Sequence, residues 1–238
     1  MPTIAFVSPK GGVGKTTSAF LFSTAIAEIY EITLIDADPN HPIKTWAEGG
    51  NTPPRMTIVS DADEDTIIER IEDAASKTAF VVVDLEGTAS MTVMKALSQA
   101  DFVVIPTQGS QLDANEASRA IRVVMQGEKM TGRAIPYAVL LTRTQPSIRT
   151  RGLAHIQNGL INAGIPVLET ELNERDAFKA VFSFRQTLDG LNPKEVPNLD
   201  KAKLNVLKFV EEVAARLLAE EGSRKKEDQE KTVVAGAA

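Results

Sequence analysis

Short apolar runs alternate along the chain with longer stretches of helical period. The runs are Ile4–Val7, Ile32–Ile35, Phe80–Val83, Phe102–Ile105 and Ala138–Leu141, with Met56–Val59 and Pro166–Leu168 as shorter additions. They are apolar on both faces, the pattern of parallel strands covered above and below by helices. Between them the periodicity predicts helices over Lys15–Ile29, Glu64–Ser76, Ala114–Met130, Gly152–Asn162 and Leu199–Glu221. The spacing suits right-handed strand–helix–strand crossovers. The expected fold class is therefore α/β, a mostly parallel twisted sheet with helices on both faces. One domain is expected over 1–221, followed by a disordered charged tail, 222–238.

The last helix places Leu204, Leu207, Val210, Val213, Leu217 and Leu218 near one face. It lacks a basic polar face, so packing is the expected role rather than membrane binding. Composition narrows the chemistry further. The chain has 238 residues and no Cys, which excludes disulfide, thiolate-metal and iron–sulfur chemistry. No stretch approaches a membrane span and no signal peptide is read, so a cytoplasmic protein is expected. Net charge is −6, against nucleic-acid binding by bulk charge. The sign changes locally, however: residues 119 to 151 carry seven basic groups and the single acid Glu128.

The strongest chemical signal follows the first strand. Lys10-Gly11-Gly12-Val13-Gly14-Lys15-Thr16-Thr17 joins a strand to a helix, the context a phosphate-binding loop requires. Glycines let successive backbone N–H groups turn toward phosphate oxygens, and the helix start adds its dipole. Lys15 is placed to reach the β- and γ-phosphates and Thr16 to give its hydroxyl to Mg²⁺. Pro9 stands where the strict pattern has Gly, and Lys10 adds a cation. No G-x-G-x-x-G is present.

Acids follow at strand ends. Asp36 suits the metal shell and Asp38 the attacking water, beside an Asx turn before Pro39. Asp84 ends an apolar strand, as a Walker B carboxylate does, and Gly87 follows in D-x-x-G spacing. Thr142 and Arg143 are placed to border the base, and the missing N-K-x-D motif favours ATP over GTP. Trp46 reads as a packing anchor. Asp113 suits an N-cap with Glu116 at N3. His41 and His155 suggest no metal site.

These residues resemble the ParA/MinD family of deviant Walker A ATPases. The loop matches K-G-G-x-G-K-T-T, Asp36-Ala37-Asp38-Pro39-Asn40 resembles D-x-D-P-Q, and Ala100 to Pro106 resembles the family's a-D-x-v-i-i-P strand. Asp84-Leu85-Glu86-Gly87 departs from the family's D-x-P-P. The resemblance implies ATP and Mg²⁺ as cofactors and an ATP-dependent homodimer in which Lys10 reaches the partner's phosphates. It also implies slow hydrolysis governed by Asp38. Non-specific DNA binding is implied, with Arg143, Arg149, Arg151, Lys179 and Arg185 as candidates and a nucleoid-associated ATP state. The partner the resemblance implies is a centromere-binding, ParB-like protein in plasmid or chromosome partition. The alternatives are a relaxosome partner in DNA transfer, a MinD-like membrane cycle, or a P-loop metabolic enzyme.

Overall fold

The computed structural model describes the backbone of residues 1–87, 90–145 and 151–235, with side chains outside 111–114, 221 and 223–235. Seven strands are β1 (Thr3–Phe6), β2 (Ile32–Ala37), β3 (Met56–Val59), β4 (Phe80–Leu85), β5 (Phe102–Thr107), β6 (Tyr137–Thr144) and β7 (Leu172–Asn173). They form one sheet in the order β3-β2-β4-β1-β5-β6-β7, every pairing parallel. The central strands are buried throughout, which explains why their sequences are apolar on both faces rather than alternating.

The helices are α1 (Lys15–Ala27), α2 (Pro42–Ala47), α3 (Ile67–Lys77), α4 (Met91–Gln99), α5 (Gln111–Thr131), α6 (Arg151–Asn162), α7 (Asp176–Ser183) and α8 (Leu199–Ala235). Two apolar layers result. On one face Phe20 and Phe22 of α1, Trp46 of α2, Phe178 of α7 and Phe209 of α8 pack on β1, β2, β5 and β6. On the other face α3, α4, α5 and α6 cover the opposite side chains of the same strands.

Several expectations change. α2, α4 and α7 are short and carry too few turns for a clear period, so the sequence reading passed over them. The strand expected at Pro166–Leu168 reduces to a single bridge, Val139 to Val167, and the edge strand β7 forms further on. α5 begins at Gln111, so Asp113 falls inside its first turn rather than at the cap. α8 runs on to Ala235, past the Glu221 expected for its end, and takes in residues 222–235. They contain no Pro and are rich in Lys, Glu and Arg, which favour helix. Leu204, Leu207 and Leu218 are exposed, whereas Val206, Phe209, Val210, Val213 and Leu217 form the buried stripe.

Candidate functional site

The loop after β1 has the backbone that its glycines permit. Gly12 and Gly14 take positive φ, 77° and 95°, and Gly14 is the N-cap residue of α1. Outside groups hold the loop in this shape. The Thr142 hydroxyl donates to the Val13 carbonyl at 2.6 Å, and the Gln108 amide donates to the Gly12 carbonyl at 3.1 Å. Thr142 lies near the end of β6 and Gln108 follows β5, so the sheet itself sets the loop's position. Gly87 lies against the start of the loop: a Cβ there would stand 3.3 Å from the Ser8 carbonyl oxygen.

Lys15 points into the middle of the acids. Its Nζ donates to Asp84 Oδ1 at 2.8 Å and lies 3.5 Å from Asp38 Oδ2. Asp84 is fully buried, and Asp36 beside it in the β2–β4 register is too. Burial pushes the Asp84 carboxyl above its ordinary range, opposed by the Lys15 charge and a Thr16 hydrogen bond. Burial raises Asp36 as well, opposed by the Lys44 and Ile43 N–H groups, which donate to its Oδ2 at 3.0 Å each. Asp36 thereby anchors the start of α2. Asp38 differs: burial would raise it, but the Asn40 backbone N–H and the Lys15 charge outweigh that and hold it low. Its Oδ1 accepts from the Asn40 N–H at 2.9 Å, completing the Asx turn, while Oδ2 faces Lys15.

The residues present fit a divalent cation. Asp36 Oδ1 and Asp84 Oδ2 are both buried without a hydrogen-bond partner, and Thr16 adjoins Asp84. Two carboxylates and a hydroxyl make an oxygen set of the kind Mg²⁺ takes, with phosphate oxygens completing the shell.

The candidate nucleotide residues are brought together. A cleft of about 190 Å³ is lined by Lys10, Gly11, Gly12, Gly14, Lys15, Thr16, Thr17, Asp38, Gly87 and Arg143. A second cleft of about 220 Å³ continues from Gly14 and Thr17 past Thr142 and Arg143. Its far wall is Leu172, Asn173, Glu174, Arg175, Phe178 and Phe182, none of which the sequence reading selected. The polar run Asn173-Glu174-Arg175 before a helix was the available signal, but a two-residue strand gives it no visible context.

The candidate DNA residues fall on several elements. Arg143, at φ 53°, and Lys179 line the second cleft, and Lys179 pairs with Glu174 at 3.0 Å. Arg185 lies beyond the end of α7, 3.9 Å from Glu48. Arg151 is exposed at the start of α6, and Arg149 lies outside the described residues.

Comparison with known proteins agrees with this geometry. A family model described as VirC1 protein matches residues 1–192. The chain belongs to the VirC1 family. Protein ParA of Rhizobium radiobacter is 36% identical over 196 residues, covering 82% of this chain and 88% of that protein. Apo McdA of Cyanothece superposes with a TM-score of 0.70 at 17% identity, covering 87% of this chain and 98% of that one. A plasmid partition protein of Borrelia burgdorferi B31 bound to AMPPNP gives 0.65 at 17%, covering 88% and 98%. This VirC1-family chain thus has the fold of the ParA/MinD P-loop ATPases, and its relatives include ParA-type proteins. Among the described residues no helix is long and apolar enough to cross a membrane.

Proposed function

We propose that the chain binds ATP with Mg²⁺ in the two joined clefts and hydrolyses it slowly, using nucleotide-dependent pairing of two copies to hold DNA. The observation that carries this reading is the position of Lys15. Its ammonium sits inside a glycine loop of left-handed turns, between a buried strand-end carboxylate and the Asx-turn carboxylate of Asp38.

The roles follow from position. Backbone N–H groups of Gly11 to Thr16 face the phosphates, and Lys15 neutralises their charge. Thr16, Asp36 and Asp84 would hold Mg²⁺, which supplies charge neutralisation at the β- and γ-oxygens when bound. Asp38, held ionised and fixed by Asn40, orients the attacking water. Thr17, Thr142 and Arg143 border the base. Lys10 lines the same cleft as α1's own lysine and adds a second cation suited to another copy's phosphates.

A role in partition is supported by the ParA relative. A role in DNA transfer is the second reading. The biochemistry is shared and only the partner protein differs. Size-exclusion chromatography with ATP and duplex DNA tests the common part. Wild type and Asp38→Ala show an ATP-dependent shift to a DNA-carrying dimer, whereas Lys10→Ala shows no ATP-dependent shift and carries no DNA. DNA retention by Lys10→Ala equal to wild type overturns the model.

A further inference from the structure

The helices on the second face of the sheet differ in charge sign from one side of the layer to the other. α3 packs on β2 and β4, α4 on β4 and β1, and α5 on β5, so α4 lies between the other two. Asp65, Glu69 and Glu72 are exposed on the α3 side. Arg119, Arg122 and Lys129 are exposed on α5, at spacings that align them in one stripe. Contacts within the chain leave most of this charge in place. Arg119 pairs with Glu116 at 2.9 Å, while among the described residues Glu69, Glu72, Arg122 and Lys129 join no ion pair.

We propose that this layer docks a second copy of the chain about a two-fold axis running along α4. Two helical layers stacked face to face can share a two-fold axis along the helices or across them. The across arrangement lays α3 on α3 and α5 on α5, opposing like charges. The along arrangement lays α3 of each copy over α5 of the other, on both sides of α4, so every acidic side meets a basic one. The charges also stand at similar distances from the C-terminal ends of their helices. Counted back from Lys77 and Thr131, Glu69 stands about 12 Å and Arg122 about 13.5 Å along its helix at 1.5 Å per residue. Met91, 48% exposed on α4, adds an apolar contact between the charged sides. This face is separate from the phosphate loop at the strand ends, so the association needs no nucleotide and coexists with an ATP-dependent dimer. Exposed ion pairs are individually weak and screened by salt, so the complex is a low-salt, weakly held one.

The test is sedimentation velocity of the full chain without nucleotide. Wild type at about 20 mM salt sediments as a dimer, and its association constant falls at least tenfold at about 500 mM salt. Arg122→Glu with Lys129→Glu, and separately Glu69→Lys with Glu72→Lys, each sediment as monomers. An equimolar mixture of the two variants sediments as a dimer again, because each acidic α5 then faces a basic α3, and this recovery also shows both variants folded. A single chain carrying all four substitutions dimerises as wild type does, which the across axis does not allow. A mixture that stays monomeric overturns the proposal. So does a wild type that is monomeric at low salt while the α5 variant alone loses retention on duplex DNA; the stripe is then a nucleic-acid surface.

Discussion

Lys15 and its two acids, Asp38 and Asp84, show how one residue serves both folding and chemistry. Asp84 is buried completely and keeps a charge-bearing partner only because Lys15 reaches it at 2.8 Å. An uncompensated buried charge would cost several kcal/mol, so the loop's lysine is part of the core's electrostatic balance. The loop glycines are separable by conformation. Gly14 sits at φ 95° with Thr142 at ordinary contact distance, so a side chain there meets strain rather than a clash. Gly14→Ala is expected to lower stability in urea denaturation by about 1–3 kcal/mol and to weaken ATP uptake. Gly11 has neither positive φ nor any atom within 4 Å of a built Cβ. Gly11→Ala is expected to change stability by less than about 0.5 kcal/mol, which makes it the control for the effect of strain.

At the scale of elements, polar anchors decide how helices meet loops. Trp46 of α2 donates its indole N–H to the Val181 carbonyl of α7 at 2.9 Å and packs edge-on against Phe20 of α1. One side chain therefore ties the helix after Asp38 to the helix that walls the second cleft. Glu212 does the same for α8. Its carboxylate accepts the Glu169 and Thr170 N–H groups at 2.8 Å each and the Arg216 guanidinium at 3.0 Å. Burial would raise its pKa, but the Thr170 and Glu169 bonds outweigh burial and hold it low. A lowered folded-state pKa means the ionised form stabilises the fold above the ordinary glutamate range. That contribution disappears as pH falls through the folded-state value. Glu212→Gln is expected to cost about 1.5–3 kcal/mol near neutral pH, the worth of hydrogen bonds to a charged group. The gap from wild type should narrow in thermal melts as pH drops from 6 toward 3; a gap independent of pH would contradict this account.

For the whole molecule, the two apolar layers determine which parts the fold needs. α8 contributes Val206, Phe209, Val213 and Leu217 to one layer, and no described residue beyond Leu217 joins it. Truncation after Glu220 is therefore expected to leave the melting temperature within about 2 °C of the full chain, below the shift that 1 kcal/mol produces at this size. A larger drop would mean that residues 221–238 pack in solution. Net charge of −6 conceals an acidic α3 side and a basic α5 side on one layer. Bulk charge is thus a poor guide to which surface meets a partner.

The sequence by itself determined the sheet's buried strands, the glycine-rich loop before α1 and the acids at the ends of β2 and β4. Each of these is local: a run of apolar residues, a glycine spacing, a carboxylate where a strand stops. Only the tertiary structure decided that Asp36 anchors α2, that Gln108 and Thr142 brace the loop, and that residues 172–182 wall the second cleft. It also turned Leu204, Leu207 and Leu218 outward. The reason is distance along the chain. Thr142 meets Val13 across a sequence separation of 129 residues, and a contact of that kind leaves no periodic trace for a local reading to find.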